Sequence, residues 1–215
     1  MYRPEAFDEP DVAKLHQLIQ SQPLAAVVTL NGDCLEASHV PLVLYPGEGE
    51  FGTLRGHLAR ANTQWRSVSS DVEALCIFSG PDAYISPSWY PSKQDTGKVV
   101  PTWNYVTVHD YGQIQIQKDR DWLLRNVNAI TDQQEGKRQA PWRVSDAPVR
   151  FTETMLRGIV GIEIEITRLE GKWKVSQNRP AADRVGVIEG LKGGGPDAQE
   201  MADILQTRQV PESDS

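Results

Sequence analysis

Apolar and polar positions mark out elements along this chain before any chemistry is considered. Val12, Leu15 and Ile19 recur at helical spacing within residues 8–21. Asp8 is placed to cap that helix and Pro10 suits its first turn, while Pro23 disfavours helical geometry in the residue before it and ends the run. The period then changes. Residues 24–30 read as a buried strand, Asn31-Gly32 as a two-residue hairpin turn, and 34–44 as the returning strand, with Pro41 marking a bulge or an edge. A turn at 46–49 leads to a third strand over 51–58.

Residues 59–70 read as a short helix or loop. A strand over 73–78 turns at Ser79-Gly80-Pro81-Asp82 into 83–86, and a Pro-containing loop covers 87–97. Residues 98–108 and 113–117 form a predicted hairpin around Asp110-Tyr111-Gly112. That makes about six strands with antiparallel connections, a pattern that points to a closed or partly closed barrel. Leu123, Val127 and Ile130 then share one face of a helix over 119–130, and Thr131 to Gln134 fits a capping box for a second helix over 132–138. Between 159 and 169, Val160, Ile162, Ile164 and Ile166 alternate with polar or small residues, the mark of a half-buried strand. Glu170-Gly171 is read as the turn into 172–177. A helix over 181–191, a break at Gly193-Gly194-Gly195-Pro196 and a helix over 197–207 capped by Asp197 with Glu200 complete the reading, and the last eight residues look disordered. The simplest organisation is one domain over 1–192, mainly β with peripheral helices, followed by a 193–215 extension.

The composition fits a chain that folds on its own core. Of 215 residues, 39% are apolar and 24% charged. Cys34 and Cys76 sit in apolar strand-like runs without a CxxC, so both read as small buried hydrophobes rather than a disulfide framework. The N-terminus has no apolar targeting segment and no run approaches a membrane span, so a cytoplasmic protein is expected. The formal net charge of −7 argues against a chain wrapped by nucleic acid, but not against a local basic patch.

Four segments carry candidate chemistry. The first is Leu54-Arg55-Gly56-His57-Leu58-Ala59-Arg60-Ala61-Asn62. Residues 51–70 hold three Arg, one His and no acid, an island of donors suited to a phosphate or else a solvated basic loop. The second, Tyr84-Ile85-Ser86-Pro87-Ser88-Trp89-Tyr90, is a rigid aromatic loop that could stack a flat ring or form a local minicore. The third is Thr102-Trp103-Asn104-Tyr105, where alternation puts Thr102 and Asn104 on one strand face. Asn is depleted in strands, so that face has a reason to be polar. The fourth is the donor-rich run 172–179, whose alternative reading is an exposed edge strand guarded by Lys172 and Lys174. His16, His39, His57 and His109 form no metal-ligand spacing, although His39 and His57 could approach across paired strands. Nucleotide P-loop, Rossmann and nucleophile-elbow motifs are absent. The helices read at 119–130 and 132–138 raise a helix-turn-helix, weakened by Asp132, Glu135 and a joint without Gly.

These motifs, with the opening Met1-Tyr2-Arg3-Pro4 and Phe7, Ser38-His39-Val40-Pro41 and Ser176-Gln177-Asn178-Arg179, resemble the PaiB family of FMN-binding negative transcriptional regulators over roughly residues 1–192. The resemblance implies an antiparallel split β-barrel related to the pyridoxamine-phosphate oxidases. It implies a homodimer with FMN at the subunit interface. Carried over by motif, the strand with Ser38 and His39 runs beside the flavin, His57, Arg60 and Asn62 face the phosphate, and Thr102 and Asn104 lie near the ring or ribityl chain from the other subunit. Ser86, Trp89, Trp103, Lys174 and Gln177 complete the implied cofactor set; no metal is implied. Three functions stay open: a regulator acting through a protein partner or on DNA, an FMN-dependent oxidoreductase, and a split barrel for another flat ligand such as haem.

The resemblance changes how the charge is read. Residues 189–215 carry six acids and two bases, which leaves 23 acids and 20 bases in 1–188. Sorted by region, the charge favours one small anionic ligand near Arg55 and Arg60. Trp89, Trp103 and Trp173 fall in the candidate segments, whereas Trp65, Trp122 and Trp142 have no account beyond packing.

Overall fold

A computed structural model describes residues 1–69 and 71–208; most of the tail read above as disordered lies outside the described residues. Ten strands and six α-helices follow in chain order: β1 (Asp8–Glu9), α1 (Val12–Ser21), β2 (Leu24–Asn31), β3 (Cys34–Pro41), β4 (Val43–Tyr45), β5 (Thr53–Ala59), β6 (Ala74–Ile85), α2 (Ser92–Thr96), β7 (Thr102–Gly112), β8 (Ile114–Gln117), α3 (Arg120–Glu135), α4 (Val149–Arg157), β9 (Ile159–Glu165), β10 (Arg168–Lys174), α5 (Ala181–Leu191) and α6 (Pro196–Thr207). They form two compact units, and β6, β7 and β10 each contribute a stretch to both.

One unit holds residues 11–78 and 108–170. In it β6, β2 and β3 are successive neighbours, and a separate sheet runs β4-β5-β9-β8. The β2–β3 hairpin pairs Asn31 with Cys34, so the loop is Gly32-Asp33, one residue beyond the predicted Asn31-Gly32. Of those two loop residues only Gly32 has positive φ, 58°, which a residue without Cβ adopts freely. Pro41 does end β3, and the chain crosses through Leu42 into β4 of the second sheet. That corner needs Gly56: a Cβ there would stand 2.6 Å from Leu42 Cδ2 and 2.9 Å from the Pro41 carbonyl oxygen. The glycine of the basic motif is thus occupied by packing. In β9 the alternation holds as predicted, with Val160, Ile162 and Ile164 fully buried, followed by Ile166. Trp122 of α3 lies against the opposite face at Gly161, which accounts for one of the unassigned tryptophans.

The other unit holds residues 1–10, 79–107 and 171–208 of the described chain. β1, β10, β7 and β6 are successive neighbours, with Asp8 opposite Lys172 and Glu9 opposite Gly171. α5 buries Val187, Ile188 and Leu191, and α6 buries Met201, Ala202 and Leu205. Arg208 pairs with Glu9. The first helix face of this unit's C-terminal part is therefore core, built from apolar positions three to four apart.

Several sequence expectations are corrected. Asp11, not Asp8, caps α1, its carboxylate accepting from the N–H of Ala13 at 2.9 Å, and Asp8 belongs to β1. Residues 74–85 are one strand, so Ser79-Gly80-Pro81-Asp82 is no turn. The β2 partners of β6 are Leu75 to Ile77, so Pro81 withholds no N–H from that ladder. β7 and β8 are not a hairpin: β8 pairs with β9. Residues 120–135 are one helix, so the second helix and the helix-turn-helix it implied do not form. Glu170 and Gly171 lie inside β10 rather than in a turn. α6 starts at Pro196 with Gly195 as its N-cap, and Asp197 makes no cap bond. Cys76 is buried but Cys34, at the hairpin end, is exposed. Neither strand order closes into a ring.

Candidate functional site

The basic motif separates into two kinds of arginine. Arg55 on β5 donates to Glu163 through Nε at 2.5 Å and to Glu48 through Nη2 at 2.6 Å, and stacks on Tyr45 with its guanidinium carbon 4.4 Å from the ring centre. Its charge is spent within the protein. Arg60, just beyond β5, donates through Nε to the carbonyl of Arg157 at 2.8 Å and through Nη2 to that of Ile159 at 2.9 Å. Among the described residues no carboxylate pairs with it. Backbone carbonyls orient the guanidinium without neutralising it, and a planar cation held in one orientation is suited to a phosphate.

The turn after Arg60 is braced from several sides. Asn62 Nδ2 donates to Ser38 Oγ of β3 at 2.9 Å, and Asn62 Oδ1 accepts from the Gln64 N–H at 2.9 Å. Gln64 is buried and donates to the Val27 carbonyl and to Thr29 Oγ1, each at 3.0 Å. The Trp65 indole N–H donates to the Arg60 carbonyl at 3.1 Å, and Lys118 lies 5.0 Å from the Trp65 ring centre. Trp65 thus receives an account, as the brace of the Arg60 turn. The sequence signal for this brace was the Asn62–Gln64 spacing, since Asx side chains bond the backbone two residues on. Ser38, Arg60 and Asn62 are brought into one neighbourhood of this unit. His39 is exposed on β3, opposite Ala26. β3 neighbours only β2, and β5 neighbours β4 and β9, so His39 and His57 do not meet across paired strands.

His57 faces another way. Its Nδ1 lies 3.2 Å from Asn126 Nδ2 of α3, and its ring lines a cavity with α4 residues. Burial lowers its pKa below the ordinary histidine value, which favours the neutral ring.

In the other unit, Lys174 Nζ donates to Thr102 Oγ1 at 2.5 Å and to the Trp103 carbonyl at 2.7 Å. Burial lowers the Lys174 pKa, as do Lys172 and Arg179, against the opposing effect of Tyr105. Lys172 is itself buried, its Nζ donating to the Tyr2 carbonyl at 3.0 Å, so this is no exposed edge guarded by lysines. Trp103 is 53% exposed and meets Tyr84 edge to face at 6.0 Å. Asn104 is buried: its Nδ2 donates to Ser176 Oγ at 3.0 Å, and Ser176 Oγ donates back to Asn104 Oδ1 at 3.2 Å. The polar strand position is satisfied inside the protein. Gln177 closes its own loop, accepting from the Val175 N–H at 2.8 Å and donating to the Trp173 carbonyl at 2.5 Å. Ser86 caps the turn at Pro87–Trp89, accepting from the Ser88 N–H at 3.2 Å. Trp89 packs on α5, where a Cβ on Gly190 would lie 2.3 Å from its ring. Trp89, Trp103 and Tyr84 line an open cavity of about 540 Å³ with residues 193–198.

Comparison with known proteins adds to this geometry. The family model described as "Putative FMN-binding domain" matches residues 1–168. The chain is 32% identical to the Bacillus subtilis protein named Protease synthase and sporulation protein PAI 2, over 97% of this chain and 98% of that one. It is 36% identical to an uncharacterised protein of Emericella nidulans, over 97% of each. Among solved structures it is similar to a conserved hypothetical protein of Mycobacterium tuberculosis, with TM-score 0.59, 12% identity and coverage of 84% and 94%. It is also similar to an FAD and haem binding protein of Mycobacterium smegmatis, with TM-score 0.56, 16% identity and coverage of 78% and 73%. At these identities the solved structures speak to the fold alone. The chain belongs to the PaiB family of FMN-binding domains, on an antiparallel split-barrel fold.

Proposed function

We propose that this protein is an FMN-binding regulator of the PaiB type that acts as a homodimer in the cytoplasm, with Arg60 holding the FMN phosphate. The observation that carries the reading is Arg60, clamped on the carbonyls of Arg157 and Ile159 with no carboxylate partner among the described residues. Asn62, two residues further along the same turn, donates through Nδ2 to Ser38 Oγ at 2.9 Å, and the two bring an amide and a hydroxyl to the same donor set. This donor set fits a phosphate monoester, which takes hydrogen bonds on three oxygens. When bound, FMN supplies a ring that accepts and returns electrons, while the protein supplies binding and orientation. In the dimer, Thr102, Trp103 and Lys174 of the second copy complete the site: the ammonium reaches anionic or carbonyl oxygens and the half-exposed Trp103 offers a ring face.

The regulatory part is supported by the Bacillus subtilis relative, whose name ties it to protease synthesis and sporulation. Because α3 runs unbroken through residues 120–135, we assign the regulatory output to a protein partner rather than to a DNA-reading helix. A second reading, an FMN-dependent oxidoreductase, is favoured by the apolar cavity at His57.

The visible spectrum of the purified protein, followed by FMN titration and light scattering, tests the first reading. Flavin bands, saturable uptake and twice the monomer mass are expected. Colourless protein that takes up no FMN overturns it. Bleaching by NADPH with turnover on an electron acceptor moves the assignment to the oxidoreductase, and a salt-dependent, sequence-selective shift of promoter DNA overturns the partner-mediated output.

A further inference from the structure

Helix α4 presents an apolar stripe that its own fold does not cover. Leu156 is buried, but Phe151 and Met155 are 55% and 50% exposed. A cavity of about 230 Å³ lies at this stripe, walled by Val127, Trp142, Val144, Phe151, Met155 and Leu156. The only polar side-chain atoms among its lining residues belong to His57, Thr152 and the indole of Trp142. The wall opposite α4 is pinned rather than frayed. The Trp142 N–H donates to Glu135 Oε2 at 3.1 Å, the Arg143 N–H donates to Asp146 Oδ2 at 2.9 Å, and Val144 is buried.

His57 gives this apolar cavity one directional group. Asn126 Nδ2 has only hydrogens to give, so His57 Nδ1 is the acceptor of their 3.2 Å bond. The proton of the neutral ring therefore sits on Nε2, which makes no bond within the chain. Asn126 is buried and fixes the ring against rotation. No carboxylate or cation lines the cavity, so a charged ligand would shed its hydration without compensation. An apolar cavity of about 150 Å³ accommodates benzene, so the larger space here suits one or two fused rings.

We propose that this cavity is a binding site for a neutral, flat molecule of one or two rings carrying a carbonyl-type acceptor, which takes a hydrogen bond from His57 Nε2. The apolar walls supply the affinity and His57 supplies the orientation, the division of labour common to small-molecule pockets. The site takes His57 out of the phosphate-binding set and does not depend on the FMN reading.

Calorimetric titration of the full chain with 1-tetralone and with tetralin, its isostere without the carbonyl, tests the assignment. The expected result is saturable one-to-one binding of both, with the ketone about fivefold tighter, the factor of one ordinary hydrogen bond. His57→Phe then abolishes the preference while tetralin still binds. Thr152→Trp, from the α4 side of the cavity, abolishes both; if His57→Phe does not fold, this variant carries the test alone. Absence of saturable binding, a ketone preference that survives His57→Phe, or binding unchanged in Thr152→Trp overturns the site. Displacement of the ketone by FMN also overturns it, because the cavity would then belong to the flavin.

Discussion

The carboxyl group of Asp110, on β7, is completely buried with the thiol of Cys76, on β6, as its neighbour. Burial pushes the Asp110 pKa up from 3.8 to about 8, opposed by hydrogen bonds from the Cys76 thiol and the backbone, and burial followed by the Asp110 charge pushes the Cys76 thiol well above its usual range. Asp110 is then a neutral acid at neutral pH, sitting in a strand core where, among the described residues, no cation pairs with it.

The sign of the resulting pH dependence follows from which state gives up the proton. Below pH 3.8 both folded and unfolded chains hold it, and above about 8 neither does. In between, the unfolded chain is ionised and the folded one is not, so stability falls as pH rises through this window, by at most about 1.4 kcal/mol per pH unit. Asp110→Asn removes that slope. Urea melts at pH 5 and pH 8 should show a smaller loss between the two for the variant than for the parent; equal losses would mean that Asp110 is ionised in the folded protein.

Arg60→Ala should weaken FMN binding at least tenfold while lowering the melting temperature by only a few degrees, because its two bonds to carbonyls replace water contacts at a net of about 1 kcal/mol each. Fluorescence quenching of added FMN and a thermal melt read the two effects separately. A large fall in melting temperature with unchanged affinity would make Arg60 a strut between β5 and the α4–β9 joint.

Gly190→Ala places a methyl group within 2.3 Å of the Trp89 ring. Overpacking of this kind costs about 1–3 kcal/mol. The same substitution at Gly193, whose Cβ would meet nothing within 4 Å, should be close to neutral. Chemical denaturation of the pair gives the comparison, and similar midpoints for both variants would show that the Trp89 ring moves freely.

Asn104→Ala strands the Ser176 hydroxyl in a buried site and should cost about 1–3 kcal/mol. Ser176 has φ 61° and is the one non-glycine residue with positive φ among the described residues. The Asn104 bond is what rewards that conformation, so Ser176→Gly should recover part of the loss in the Asn104→Ala background. A double variant no more stable than Asn104→Ala would separate the backbone conformation from the hydrogen bond.

Local patterns carried much of this fold. The 160–166 alternation, the helix over 181–191 and the glycine turn after β2 are each set by neighbours a few residues apart; the first two form at the expected positions and the turn forms one residue later, at Gly32-Asp33. The segments flagged for chemistry do hold the braced Arg60 turn and the Lys174–Thr102 pair, because unusual donors in strands and turns need partners that a sequence can announce. Which partners they find is a tertiary matter. Arg55 and Arg60 are identical as residues, yet one is neutralised by Glu163, 108 positions away, and the other rests on backbone carbonyls. The same holds for continuity of strands: Ser79-Gly80-Pro81-Asp82 has turn composition, but the strand that pairs with β2 at Leu75–Ile77 runs on through it to Ile85. His57 was visible in its motif, while Asn126, Trp142 and α4, which give it a cavity, lie 69 and more positions away with no shared pattern. Periodicity encodes which face of an element is buried; which elements meet across those faces depends on contacts between positions far apart in the chain, and only the folded structure supplies them.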